Sequence, residues 1–125
     1  NYERGRAFEY RIRDDMRERG YWAQRSPRSG TGVDVFASLH GVVFFIQAKR
    51  DGKLSFKEAK ELRDLAKKYG AMALFAEPRV KTGKRRIGIV YWLLDRWLLN
   101  TGDQRKTRFE PPRPSKPLNT DNGLP

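Results

Sequence analysis

A chain of 125 residues has room for one domain with a real hydrophobic core and none for a second, so a single catalytic or binding unit is expected. Its 27 Lys and Arg residues against 15 acidic ones give a net charge of +12, and residues 1–99 alone carry 22 basic and 12 acidic side chains, so the excess belongs to the body of the protein. With no cysteine, disulfides and thiolate zinc sites are excluded, and with no membrane-length apolar run and no signal-peptide pattern, a cytoplasmic protein without membrane association is the expectation.

The first helix is predicted over residues 4–19, with Gly20 where helices commonly end. Phe8, Ile12 and Met16 recur at spacing four and form its buried stripe, with Glu9 at the stripe's edge and Gly5 within it. A carboxylate is thereby turned toward the body of the protein. A short strand over residues 21–24 follows, then the polar loop Ser26-Pro27-Arg28-Ser29-Gly30-Thr31-Gly32. Residues 33–39 and 42–49 are rich in β-branched and aromatic side chains and only His40-Gly41 separates them, which predicts a tight hairpin with Leu39 facing Val42 and Asp34 facing Gln47. One hairpin face, Val33, Val35, Ala37 and Leu39 with Val42, Phe44, Ile46 and Ala48, is wholly apolar and must be core. The other face gathers Asp34, Gln47 and Lys49 at one end of an otherwise apolar surface.

Asp51-Gly52 turns the chain, and Ser55 with Glu58 three residues on makes a capping box for a second helix ending near Tyr69. Phe56, Ala59, Leu62, Leu65, Ala66 and Tyr69 are its expected buried face. Residues 71–77 and 87–91 read as two further strands joined by the basic turn 79–86, and residues 95–99 as a short helix. Tyr91, Trp92, Leu94, Trp97 and Leu98 are more apolar bulk than one short segment buries internally, which makes them candidates for a subunit interface, with closure of the monomer core as the alternative. From Asn100 onward apolar residues thin out and five of the seven prolines appear. Residues 1–99 are therefore expected to form the domain and residues 100–125 a Pro-rich tail, disordered or draped over the surface.

A field of this sign concentrates polyanions and gains affinity from counterion release when phosphates bind, which points to nucleic acid; a basic RNA-binding protein is the plainer alternative. No internal repeat, phosphate-binding glycine loop or metal-spaced His or Cys cluster is present. The single histidine, His40, sits in a turn, so a Ser-His-Asp or Cys-His mechanism has no base. Phosphodiester hydrolysis near neutral pH needs instead a divalent metal, oxygen ligands for it and a cation near the attacking water or the phosphorane. Asp34 opposite Gln47, Lys49 two positions along the same face and Glu9 on the packed helix supply that set. Each alone has a plainer role, such as Glu9 pairing with Arg13 at helix spacing. Four such groups converging on one place are odd as pure structure.

Phe8-Glu9 on the first helix, Arg25-Ser26-Pro27-Arg28-Ser29-Gly30, Val33-Asp34-Val35 and Ile46-Gln47-Ala48-Lys49 resemble the archaeal-type Holliday-junction resolvases of the PD-(D/E)XK nuclease superfamily, over residues 1–77. The resemblance implies an α/β fold, a mixed central β-sheet flanked by helices with a restriction-endonuclease-like core (α-β-β-β-α-β-β), assembled as a homodimer. It implies a Mg²⁺-dependent endonuclease, with Mn²⁺ as a substitute and no small-molecule cofactor, acting on branched or four-way DNA junctions. Family roles fall on Glu9, Ser29, Asp34, Gln47 and Lys49: Glu9, Asp34 and Gln47 as metal ligands, Lys49 at the water or phosphorane, and Ser29 at the scissile phosphate. Arg25 matches an Arg that precedes the family's loop. Together with Arg28, Ser29, Arg50 and Lys53, which surround the site, it is expected to contact DNA.

The chain departs from the family pattern at Gln47, where Glu is expected, and at Tyr10, where a basic residue usually stands. An amide oxygen can ligate Mg²⁺ but brings no negative charge. Three readings follow: a natural Gln variant, an introduced replacement, or loss of catalysis that leaves a junction-binding module. Lys49, Asp34 and Glu9 are all present, which favours an active site. A repair, restriction or transposition nuclease of the same superfamily is the remaining alternative.

Overall fold

The computed structural model describes residues 2–27, 32–79, 88–98 and 103–113. Helix α1 (Tyr2–Glu18) leads into strands β1 (Trp22–Arg25), β2 (Val35–Leu39) and β3 (Val42–Ala48), then helix α2 (Phe56–Lys68) and strands β4 (Met72–Pro78), β5 (Ile89–Leu98) and β6 (Asp103–Phe109). The strands make one six-stranded sheet in chain order, antiparallel throughout except for β3 and β4, which run parallel. Parallel neighbours need a crossover connection, and the 13-residue α2 supplies it. The fold is thus the expected α/β arrangement of a mixed sheet flanked by helices.

Each face of the sheet is closed by one helix, because its central strands are apolar on both sides. On one face α1 sets Phe8, Ile12 and Met16 against Val35, Ala37, Phe44, Ile46 and Leu74. The helix stops at Gly20, whose φ of 100° lets the chain reverse. There the Gly20 N–H donates to the Arg17 carbonyl at 2.9 Å and the Tyr21 N–H to that of Met16 at 3.0 Å. On the other face α2 sets Ala59, Leu62 and Ala66 against Phe45, Phe75 and Leu94. Full burial of a Leu- or Phe-sized side chain contributes about 1.5–3 kcal/mol, so these two seams, more than helix propensity, hold the helices in place.

The structure corrects the sequence reading at several points, and Val42, expected in the core, is 41% exposed. Val33 belongs to the α2-side cluster and not with Val35, because β2 begins only at Val35 and the alternation does not extend back through Asp34. Phe56 and Tyr69 are 41% and 62% exposed, so the buried stripe of α2 is narrower than its apolar content suggests. Residues 95–98 continue β5 and are not helical, because β6 pairs along them, with a register shift between Leu94 and Trp97. Finally, Asp103–Phe109 is a strand where a disordered tail was expected. Its sequence DQRKTRF lacks the apolar alternation of a half-buried strand, and an edge strand draws its order from a partner's backbone, which composition does not report.

The segment after β6 is likewise tied down. Pro111 is fully buried, its carbonyl accepts from Arg19 Nη1 at 2.7 Å, and the Pro112 carbonyl accepts from the Tyr21 hydroxyl at 3.0 Å. Tyr91 and Leu94, interface candidates by sequence, are core residues instead. The Tyr91 hydroxyl donates to Asp15 at 2.8 Å, and the Trp92 indole donates to Glu77 at 2.7 Å. Residues 114–125 lie outside the described residues.

Candidate active site

The β2–β3 hairpin sets the geometry. His40 and Gly41 take φ of 50° and 82°, the positive values that a two-residue turn matching strand twist requires, and Leu39 pairs with Val42 and Val35 with Ile46. Beyond the last pair, Asp34 is held by its backbone between neighbouring strands. Its N–H donates to the Ile46 carbonyl and its own carbonyl accepts from the Ser26 N–H, both at 2.8 Å. The Asp34 carboxylate then accepts the Ala48 N–H at 2.8 Å, so a side chain serves as the acceptor where the ladder ends. That bond fixes the carboxylate beside the C-terminal end of β3, where Gln47 and Lys49 lie.

Gln47 follows the alternation of β3 and points to the α2 face, where it is 8% exposed. The turn after β3 brings α2 back over it, with Gly52 at φ 73° and close against Glu77, where a Cβ would lie 2.7 Å from Oε1. Glu58, in the first turn of α2, uses Oε1 to accept the Ser55 N–H at 3.0 Å while its own N–H donates to the Ser55 hydroxyl at 3.0 Å, completing the capping box. Its other oxygen, Oε2, accepts from Lys49 Nζ at 2.5 Å and from Gln47 Nε2 at 3.4 Å. With Nε2 directed at a carboxylate, the Gln47 Oε1 atom is left buried with no hydrogen-bond partner. The opposite amide orientation would set two acceptors against each other.

From the α1 side, Glu9 accepts from Arg25 Nε at 2.8 Å. Arg25 lies over the Tyr10 ring at 4.9 Å and reaches its hydroxyl at 3.4 Å, so the residue standing where a basic one was expected serves as a platform for a neighbouring cation. Its bond to Glu9 is the main influence raising the Arg25 pKa. Burial pushes the Asp34 carboxyl up to about 6; the Ala48 N–H draws it down, Glu9 pushes it further up, and Lys49 and Arg25 oppose the rise without cancelling it. At Glu58 burial also acts upward, but Lys49 and Ser55 together hold the carboxyl below its ordinary value.

The fold therefore brings Glu9, Arg25, Asp34, Gln47 and Lys49 to one end of the β1–β2–β3 sheet edge, with Arg50 half-buried and Lys53 exposed beside them. Arg28 and Ser29 lie outside the described residues, as does most of the basic turn 79–86. Glu58 is the member that sequence reasoning passed over, having read it only as a cap. Its signal was available: a residue three positions after an N-cap must sit on the first turn of the helix that returns over Gln47. Among the described residues, no three His, Cys, Asp or Glu side chains converge tightly enough to hold a cation by themselves. Here carboxylates are interleaved with an amide oxygen. An all-oxygen set with an ammonium beside it can hold a hard divalent cation and steady a phosphate ester near it.

The model of the family "Archaeal holliday junction resolvase (hjc)" matches residues 1–92. Comparison with curated proteins returns no match. Among solved structures, Hjc, a Holliday junction resolvase from the archaeal hyperthermophile Archaeoglobus fulgidus, is similar at 21% identity and a TM-score of 0.58, over 82% of this chain and 86% of that one. That likeness speaks for the fold, while the family match spans the helix, the hairpin and the site residues built above: the chain belongs to the archaeal Holliday junction resolvase family.

Proposed function

We propose that this junction-resolving nuclease is Mg²⁺-dependent, works as a homodimer, and uses Glu9, Asp34 and Gln47 as oxygen donors to the metal, Lys49 at the reacting phosphate and Ser29 as a contact to it. The observation that carries the reading is the meeting of the Asp34 carboxylate, the unpartnered buried Gln47 oxygen and the Lys49 ammonium at the end of one hairpin. Family membership implies a divalent metal in general. Mg²⁺ in particular is supported by donors that are all hard oxygens, with Mn²⁺ as an acceptable substitute. The bound metal would activate water and neutralise charge on the phosphate. Lys49 orients that water or stabilises the phosphorane, and its pairing with Glu58 holds the ammonium in place beforehand. Asp34, with its carboxyl raised to about 6, is ionised at neutral pH at a cost from burial, and a cation beside it would offset that cost.

Arg25, Arg28, Ser29, Arg50 and Lys53 supply the phosphate contacts around the site, and the net charge of +12 supports a polyanion partner. One domain offers one site, whereas a four-way junction must be cut on two opposed strands, and a two-fold dimer meets that need most simply. Gln47 favours a second reading, a junction-binding protein without cleavage, because it leaves the strand's metal-facing position uncharged. The experiment is incubation of the protein with a labelled four-way junction and a matched duplex, with and without Mg²⁺. Paired nicks in the junction alone, only with the metal, are the expected result. Tight junction binding with no cleavage at any Mg²⁺ or Mn²⁺ concentration would move the protein to the second reading. Sedimentation as a monomer, free and junction-bound, would refute the dimer.

A further inference from the structure

We propose that Glu58 on α2 supplies the anionic oxygen that Gln47 does not, so that the site's third carboxylate, after Glu9 and Asp34, comes from the crossover helix and not from β3. The inference rests on the metal-dependent reading above and adds a ligand to it. Glu58 is divided between two tasks. Oε1 is committed to the helix cap at Ser55, which immobilises the side chain, while Oε2 is directed into the site toward Lys49 and Gln47. The cap uses only the first oxygen, so the second is free to hold Lys49 and to face the site. Independent of any acidic grouping, Gln47 is more than nine-tenths buried with its Oε1 unpartnered, which is costly unless something electropositive takes that oxygen.

Charge makes the same point. Glu9, Arg25, Asp34, Lys49 and Glu58 are three anions and two cations, a formal balance of −1, and without Glu58 the balance is zero. Surroundings whose charges cancel draw a dication out of water less than net-negative ones do, since Mg²⁺ affinity follows the charge around it. A carboxylate at position 47 and one at position 58 are thus alternatives: either supplies one negative charge next to Lys49. Gln47 then keeps a distinct part, its N–H groups orienting Glu58 and its oxygen completing the donor set.

The test reads metal binding directly, by the loss of free Mn²⁺ paramagnetic signal on titration, with no substrate present. Glu58→Gln keeps the cap, because an amide oxygen still accepts the Ser55 N–H, and thermal melting checks that the fold is retained. Its Mn²⁺ affinity should fall about 10–100-fold. In the double variant Glu58→Gln/Gln47→Glu the charge is moved to β3, and affinity should return to about the parent value. Mn²⁺ binding by Glu58→Gln equal to the parent, while Asp34→Asn loses it, would overturn this proposal and leave the metal-dependent reading standing. Failure of the double variant to recover would also overturn it. Unchanged binding in Asp34→Asn would instead bring down the underlying site.

Discussion

Replacing Asp34 by Asn should stabilise the metal-free protein at neutral pH even as it removes the chemistry. In the folded state burial raises this carboxyl from 3.8 to about 6, which corresponds to about 3 kcal/mol between the protonation states. A raised carboxyl pKa means that the folded protein binds the proton more tightly than the unfolded chain does. Above about pH 6 both states are ionised, and the fold bears the whole cost of a buried charge. As pH falls from about 6 to about 4 the folded carboxyl protonates first and stability recovers; below that both states are protonated and nothing more is gained.

The amide introduced by Asp34→Asn keeps an acceptor for the Ala48 N–H but carries no charge, so the stability difference between variant and parent should grow from near zero at about pH 4 to about 3 kcal/mol at about pH 7–8. Urea unfolding in the presence of a chelator, on both proteins across that range, measures it. Taking the difference at each pH cancels groups such as Glu58, whose lowered pKa acts in the opposite direction: its stabilising contribution is present at neutral pH and is lost in acid. A difference flat with pH, or a variant less stable than the parent at about pH 8, would refute the reasoning.

Lys49→Ala should lower single-turnover junction cleavage by about 100-fold or more while leaving junction affinity nearly unchanged, because it removes charge stabilisation at one phosphate and not the wider footprint; gel-shift titration beside the cleavage assay separates the two effects. Gln47→Glu, which adds a second anionic oxygen beside Glu58, should tighten Mn²⁺ binding in the paramagnetic titration, and no change would count against position 47 lying at the metal. Junction affinity should fall with salt at a log–log slope of about −5 if about six phosphates are neutralised, and a slope near zero in fluorescence anisotropy would refute the charge argument. Phe109→Ala, which removes a ring packed 5.6 Å from that of Phe44, should cost about 2–4 kcal/mol in thermal or urea unfolding. A free tail beyond Asn100 would show no loss at all.

Local chemistry made much of the fold legible. The spacing of Phe8, Ile12 and Met16, the His40-Gly41 turn and the Ser55–Glu58 cap each encode their structure within a few residues, and the hairpin register that followed from them brought Asp34, Gln47 and Lys49 together. Features that depend on a distant partner were not legible. Nothing within DQRKTRF announces β6, because its order comes from β5. The burial of Pro111 needs Arg19, a residue 92 positions away. Val33 was misassigned because the point at which Asp34 leaves the strand alternation is decided by its bond to Ala48 across the hairpin. Glu58 could be read as a cap from sequence, but its second oxygen acquires meaning only once α2 lies over β3.

The strictly sequential strand order bears on how the protein becomes active after synthesis. β1–β2–β3 and β4–β5–β6 are each runs of antiparallel neighbours, built from contacts between residues close in the chain. Only the parallel β3–β4 seam, bridged by α2, is nonlocal in the sheet. Pairing of that kind is entropically the late step in folding. Asp34, Gln47 and Lys49 all belong to the first run, whereas Glu58 arrives with the bridging helix. The N-terminal half can therefore form its hairpin while still without the Glu58 carboxylate, which joins the site only when the β3–β4 seam closes.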